Sequence, residues 1–235
     1  MDTAAQIAAQ AGEIFVQCVK DKPDALLGLA TGASPIALYR YLVAQYKAGA
    51  VRFRNVRTYN LDEYCGLAAD DSNSYAAFMR EHLFRFLDIP PENTHIPNGC
   101  APDIAAECKR YDALIEAIGG VDLQLLGIGT DGHIGFNEPS DRFADGTYKV
   151  KLHESTIAAN SRYFQYGDMP QYAITMGVGT ILKAKKIVVL ATGAGKAKAV
   201  YDMLNGAVTP HCPASALQRH ADTVVFLDKA AASLL

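Results

Sequence analysis

Short, uninterrupted apolar runs alternate along this chain with longer segments in which apolar residues recur at helical spacing. The short runs have the length of buried strands and occupy 25–30, 56–62, 121–126, 173–176, 186–191 and 223–227. The segments with helical spacing include 3–20, 35–47, 73–87 and 103–118. This alternation predicts a single-domain α/β fold over 1–235: a doubly wound, modified Rossmann-like, mostly parallel sheet with helices on both faces.

The most informative stretch is 127–139, GIGTDGHIGFNEP, which follows the apolar run 121–126. It carries Asp131, His133 and Glu138 with glycines between them, and glycine lets a backbone approach a ligand closely. In an open α/β sheet, ligands bind beyond the carboxyl ends of the strands. An imidazole between two carboxylates is a candidate proton-transfer group, because the carboxylates fix its tautomer and favour its charged form.

Two other interpretations of this stretch are less favoured. Residues 127–132 match the G-x-G-x-x-G dinucleotide fingerprint, but that motif needs a helix to begin inside it. Gly135 and Pro139 disfavour such a helix, so a nicotinamide site is not expected. The stretch could also be a capped turn in which Asp131 and His133 only satisfy backbone groups. Two acids and three glycines at one strand end favour a functional role over that alternative.

The first apolar run ends in Thr31, Gly32, Ala33, Ser34 and Pro35. Proline suits the first turn of a helix, and serine at position 34 suits the N-cap. A strand, a Gly/Ser/Thr turn and a helix N-terminus together make an anion site, because unpaired N–H groups and the helix dipole face one point. The alternative is a plain turn with a capping serine.

A second strand-glycine-helix turn, TGAGK at 192–196, follows the run 186–191. It is not a nucleoside-triphosphate loop, because the G-x-x-x-x-G-K-[ST] spacing is absent. Lys196 in such a turn is usually solvated, but beside the first glycine turn it could complete a phosphate pocket.

Two further regions add candidate residues. Asp62 and Glu63 end the run 56–62, and successive strand side chains face opposite ways, so only one is expected to reach the site. The irregular stretch 140–166 contains Arg162. Because long irregular segments in compact domains are often lids or binding loops, we expect a lid around 140–170.

Composition excludes several classes of protein. Twenty-two basic against 25 acidic residues give a net charge of −3, which provides no basic field for nucleic acid or anionic membranes. No apolar run approaches the roughly 20 residues of a membrane span, and the N-terminus lacks the basic start of a signal peptide. The five cysteines are scattered without C-x-x-C spacing, which is typical of a reduced, cytoplasmic protein without a zinc ribbon.

Several stretches, spread in order over nearly the whole chain, resemble one enzyme family. They are LGLATGASP (27–35), YNLDEYCGL (59–67), DSNSY (71–75), LLGIGTDGHIGFNEP (125–139), NSRYF (160–164), AITMGVGTIL (173–182) and GAGKAKAV (193–200). The chain resembles the glucosamine-6-phosphate deaminases, and the pair NLDEY and DGHIGFNEP is the specific part of the likeness. Sugar-phosphate lactonases are similar in the first turn and share DGH, but they lack the FNEP that follows.

The resemblance implies conversion of glucosamine 6-phosphate and water to fructose 6-phosphate and ammonia. It assigns Asp62 as the base that removes the C2 hydrogen, and His133 with Asp131 and Glu138 to ring opening. The phosphate would be held by Arg162 and Lys196 with the turn at 31–34, and Glu63 is a secondary candidate. The substrate carbonyl serves as electron sink, so no cofactor or metal is expected.

Two alternative functions on this fold are a sugar-phosphate lactonase and a non-catalytic sugar-phosphate sensor. Larger hexameric deaminases bind an acetylated sugar phosphate as activator through basic residues after the NEP motif. Here that stretch contains Asp141 and Asp145, which would repel a phosphate, together with the basic residues Arg142, Lys149 and Lys151. The sequence also ends soon after its last predicted strand. We therefore expect a short, non-allosteric enzyme that is a monomer or small homo-oligomer and acts on a small molecule.

Overall fold

The strands of this chain form two sheets of different size. The computed structural model describes residues 3–161, 164 and 169–235. The strands are β1 Leu26–Leu29, β2 Arg57–Asn60, β3 Asp62–Tyr64, β4 Thr94–His95, β5 Leu123–Gly127, β6 Tyr148–Lys151, β7 Tyr172–Thr175, β8 Lys186–Ala191 and β9 Thr223–Leu227. The α-helices are α1 Ala4–Asp21, α2 Ile36–Lys47, α3 Tyr75–His82, α4 Ile104–Ala117, α5 Glu154–Ser161, α6 Val178–Ile181 and α7 Ala197–Asn205.

The larger sheet has six parallel strands in the order β4-β2-β1-β5-β8-β9. β1 is buried along its whole length, and β5 and β8 are buried at all but one terminal residue each, as expected of parallel strands covered on both faces. The predicted α/β fold with a mostly parallel sheet is therefore confirmed. Because the strand order reverses between β1 and β5, a crevice opens beyond their carboxyl ends, where such folds bind ligands.

The smaller sheet is antiparallel, in the order β3-β7-β6, and the sequence pattern did not predict it. The run 56–62, expected to be one strand, divides at Leu61 between the two sheets. The Leu61 N–H donates to Leu29 O in the large sheet at 3.1 Å, and the Leu61 carbonyl accepts from Met176 N–H at 2.8 Å. The irregular stretch also contains regular structure, namely β6 and α5.

Each sheet has its own apolar support. One large cluster packs around the six-stranded sheet and includes Phe15, Tyr39 and Leu125. A smaller cluster supports the three-stranded sheet and consists of Tyr64, Phe136, Val150, Leu152 and Ala173. Within the described residues, no helix is long and apolar enough to cross a membrane.

One local expectation is wrong. Ser34 was expected to be the N-cap of α2, but the helix begins at Ile36 and Pro35 occupies the N-cap, without a capping side-chain hydrogen bond. Pro35 has a φ of −79°, which its ring fixes near the helical value, and its carbonyl accepts the N–H of Tyr39 at 2.9 Å as an N-cap carbonyl does. Ser34 consequently belongs to the turn that precedes the helix.

Candidate active site

A cavity of about 450 Å³ lies beyond the carboxyl ends of β1, β5 and β8. The residues predicted for the site that line it are Gly32, Ala33, Ser34, Asp131, His133 and Lys196. The turns that follow three separate strands thus meet at one place. α5 adds Ser155, Thr156 and Asn160 to the lining, and no spacing rule in the sequence pointed to these three.

The first glycine turn forms one wall of the cavity. Gly32 has φ of +89°, a left-handed conformation that glycine adopts without strain. A β-carbon placed on Gly127 would lie 3.7 Å from Ser34 Oγ, so the serine hydroxyl sits against the end of β5. The Thr31 side chain is hydrogen-bonded to Tyr75, and the phosphate contact predicted for the backbone of this turn stays a prediction.

Lys196 enters the cavity from the second glycine turn. Gly193, with φ of +90°, starts this turn, and its N–H donates to both carboxylate oxygens of Asp228 at 3.1 and 3.0 Å. Burial lowers the pKa of Lys196, and the negative charge of Asp131 acts in the opposite direction. Arg162, the other predicted phosphate ligand, lies outside the described residues.

Asp131 and His133 are in direct contact in the loop that follows β5. Asp131 Oδ1 lies 2.7 Å from His133 Nδ1 and accepts the His133 backbone N–H at 3.2 Å. Burial raises the pKa of Asp131, but the contacts and charge of His133 outweigh it and bring the pKa to about 2. Asp131 is therefore a fixed negative charge on the Nδ1 side of the imidazole at neutral pH.

This contact depends on the glycine two residues before Asp131. A β-carbon at Gly129 would lie 2.3 Å from His133 Nδ1 and 2.6 Å from Asp131 Oδ1. The Gly129 N–H donates to His133 O at 2.8 Å, which closes the loop. The glycine is needed for space rather than for an unusual backbone angle.

Glu138 is the second carboxylate at the same ring nitrogen. Its Oε2 lies 3.7 Å from His133 Nδ1 and also 3.7 Å from His153 Nδ1. Its Oε1 accepts the His153 backbone N–H at 3.2 Å. Neither Glu138 Oε2 nor His133 Nδ1 has an aligned hydrogen bond within the described part of the chain. Sequence reasoning did not select His153, because it lies in a stretch without a regular apolar period.

Asp62 is buried beside the same loop and is not among the residues that line the 450 Å³ cavity. A β-carbon at Gly135 would lie 3.3 Å from Asp62 Oδ2 and 3.0 Å from Thr175 Oγ1. Burial, followed by the neighbouring charge of Glu63, raises the pKa of Asp62 to about 8. A carboxylate with a raised pKa is a stronger base once it is ionised.

Glu63 faces the other way. Its Oε1 accepts the backbone N–H groups of Tyr64 and Tyr75 at 2.8 and 2.9 Å, and its Oε2 accepts that of Ala76 at 2.9 Å. Burial raises the pKa of Glu63, and these hydrogen bonds oppose the rise. Its carboxylate is occupied at the start of α3.

Asp131, His133 and Glu138 each offer one potential metal-ligand atom, and these three atoms lie within 4.8 Å of one another. This spacing is short enough for a shared cation, and it is equally the spacing of a group that transfers a proton. The first glycine turn and Lys196 supply N–H groups and a positive charge, which suit an anionic ligand.

Comparisons with known proteins show the family to which the chain belongs. A family model described as glucosamine-6-phosphate isomerases/6-phosphogluconolactonase matches residues 1–226. The chain is 51% identical over 227 residues to glucosamine-6-phosphate deaminase of Clostridioides difficile (strain 630), covering 96% of this chain and 91% of the relative.

Two solved structures illustrate how far the similarity extends. A monomeric glucosamine-6-phosphate deaminase superposes with a TM-score of 0.97 at 45% identity, covering 100% of this chain and 98% of the other. A 6-phosphogluconolactonase from Trypanosoma brucei shares the fold with a TM-score of 0.77 at 21% identity, covering 100% of this chain and 96% of the other.

Proposed function

This chain belongs to the family of glucosamine-6-phosphate isomerases and 6-phosphogluconolactonases, and we propose that it is a glucosamine-6-phosphate deaminase. The observation that carries the proposal is that Asp62, from β3, lies against the loop that holds the Asp131–His133–Glu138 group, and that Asp131 and His133 of this loop line the cavity. Relatives that are named glucosamine-6-phosphate deaminase support the proposal, with 51% and 48% sequence identity over 96% and 98% of this chain.

The reaction opens the sugar ring, moves a proton from C2 to C1 and releases ammonia by hydrolysis. His133 moves the ring-opening proton, with Asp131 as its fixed counter-charge and Glu138 as the second carboxylate. Asp62 removes the C2 hydrogen and returns a proton to C1, which leaves an imine at C2. Water then adds to that imine, and ammonia departs to give fructose 6-phosphate.

The raised pKa of Asp62 fits this role when the substrate is present. A buried carboxylate holds its proton at neutral pH in the absence of a nearby positive charge. The substrate amino group is on C2, the carbon that loses its hydrogen. Its ammonium form therefore supplies a positive charge next to the base and favours ionisation of Asp62 when the sugar binds.

The phosphate of the sugar occupies the wall formed by Gly32, Ala33, Ser34 and Lys196. α5 lines the opposite part of the cavity through Ser155, Thr156 and Asn160, which supports a lid in the segment 140–170. The monomeric state of the structural relative supports a monomer here.

The test is incubation of the protein with glucosamine 6-phosphate while ammonia and fructose 6-phosphate are measured. Both products should form in equal amounts. A parallel assay with 6-phosphogluconolactone addresses the lactonase function, for which a base at C2 is not needed. Lactone hydrolysis without ammonia release would overturn the proposal.

A further inference from the structure

Glu138 is shared between two histidines, and only one of them belongs to the proton-transfer group described above. The Glu138 side chain is 4% exposed, and its Oε2 is 3.7 Å from Nδ1 of both His133 and His153. A buried carboxylate oxygen without an aligned hydrogen bond is costly unless a positive charge lies nearby. Two imidazoles are available to supply that charge.

His153 connects this carboxylate to another part of the fold. It follows β6 and immediately precedes α5, whose Ser155 and Thr156 line the cavity. Its backbone N–H holds Glu138 Oε1, while its half-exposed ring faces Glu138 Oε2. Any change in the position of α5 relative to the loop that follows β5 (residues 128–139, the catalytic loop) therefore changes the surroundings of Glu138.

We propose that His153 is a positioning residue for the deaminase reaction: it shares Glu138 with His133 and thereby ties α5 to the proton-transfer group. This inference rests on the proposed function. Because both rings face one buried carboxylate oxygen, the position and charge of His153 change the charge that Glu138 presents to His133.

Other charged groups surround His153, and the test must separate their effects. Asp131 and His133 face Glu138 from the catalytic loop. A neighbouring cavity of about 530 Å³ is lined by His153, Glu138, Arg142, Asp145, Tyr148 and Lys151, among others. Comparing variants with and without Glu138 isolates the path through this carboxylate.

The experiment follows the imidazole C–H signals of His133 by NMR as a function of pH in the intact protein. His153→Gln keeps the backbone N–H to Glu138 but removes the titrating charge, so the midpoint for His133 should move up by about half a pH unit. His153→Lys keeps a cation at this position and should return the midpoint to the wild-type value or below. His82→Gln, on α3 beside Arg40, Glu81 and Arg85, should leave it unchanged.

The double variant gives the deciding comparison. In a Glu138→Gln background, His153→Gln should no longer shift the His133 midpoint. An unchanged midpoint in His153→Gln, or an equal shift without Glu138, would overturn the inference. Because the NMR measurement needs no turnover, a wild-type protein that shows the coupling but releases no ammonia would refute the proposed function alone.

Discussion

The carboxylates of Asp62 and Glu63, consecutive in β3, serve opposite sides of that strand. Asp62 Oδ2 lies against Gly135 of the catalytic loop, while Glu63 accepts three backbone N–H groups at 2.8 to 2.9 Å, two of them from the start of α3. The alternation of side chains along a strand produces this division. It predicts that the same substitution at each position will change a different measurable property.

Asp62→Asn should abolish proton abstraction while the substrate still binds. Loss of a general base costs a factor of about 10² to 10⁴ in rate, so kcat should fall by at least that range. Exchange of the C2 hydrogen of glucosamine 6-phosphate with deuterated water, followed by NMR, reports the step directly. Exchange at the wild-type rate in this variant would exclude Asp62 as the base.

Glu63→Gln should lower the stability of the fold and leave the exchange of the C2 hydrogen unchanged. The amide can accept with only one oxygen, so at least one buried N–H in the α3 region loses its partner. The expected cost is about 1–3 kcal/mol in the free energy of unfolding, measured by urea denaturation. A variant of wild-type stability that no longer exchanges the C2 hydrogen would instead give Glu63 a catalytic role.

Lys196→Ala should weaken binding of the phosphorylated sugar specifically. Removing a hydrogen bond to a charged group costs about 1.5–3 kcal/mol, which corresponds to an increase in the dissociation constant of at least about tenfold. Calorimetry with glucosamine 6-phosphate and with glucosamine separates the phosphate contact from contacts to the ring. The control is Lys198→Ala, since Lys198 is exposed and paired with Asp202; equal weakening for both sugars would count against the phosphate contact.

Gly129→Ala should displace His133 from Asp131, because the added carbon would lie 2.3 Å from His133 Nδ1. We expect a loss of kcat of about 10²-fold or more, comparable to loss of general acid–base catalysis. Gly195→Ala is the matched control in the second glycine turn, where the nearest atom to the new carbon is Thr130 Cγ2 at 3.9 Å. Near wild-type activity in the Gly129 variant would mean that the Asp131–His133 contact is not required.

Asp122, which does not line the 450 Å³ cavity, makes a pH-dependent contribution to the free energy of unfolding. Its Oδ2 accepts from Lys22 Nζ at 2.6 Å and from the Leu26 N–H at 2.8 Å, and its Oδ1 accepts from Lys185 Nζ at 2.7 Å. Burial opposes ionisation, but these partners outweigh it and lower the pKa. A group with a lowered folded pKa stabilises above its unfolded pKa, near 4, and loses that contribution as pH falls through the folded value.

Asp122→Asn should therefore destabilise the protein by about 1–3 kcal/mol at pH 7, with a smaller difference from wild type below pH 4. Urea denaturation at both pH values measures it, and Asp24→Asn, at an exposed neighbouring position, is the control. The same difference at both pH values would show that lost packing, rather than lost charge, explains the effect.

The sequence predicted those parts of the site that depend on local order. Asp131 and His133 are two residues apart and follow a strand, so any fold that places the strand end in a crevice brings them together. Ser34 and Lys196 followed from the rule that parallel strands deliver their carboxyl ends to one edge. The predicted role of Arg162 stays a prediction, because the residue lies outside the described part.

The rest depends on contacts between distant segments. A short apolar run such as 173–176 indicates a buried strand, whether that strand belongs to a parallel or an antiparallel sheet. The run therefore could not show that its partners are antiparallel. His153 meets Glu138 only because β6 pairs with β7 and returns the chain to the catalytic loop. The N-cap expected at Ser34 was wrong for a local reason, since proline itself can occupy that position.

Leu61 belongs to both sheets at once, because its N–H is bonded to β1 and its carbonyl to Met176. It is also the one residue that separates β2 of the six-stranded sheet from β3 of the three-stranded sheet, and each sheet has a separate apolar cluster. Such units open with separate free energies in hydrogen exchange. Amide protons of β3, β6 and β7 should therefore exchange with deuterium as one group, ahead of those in β1, β5 and β8, with Leu61 at the boundary between the two rates.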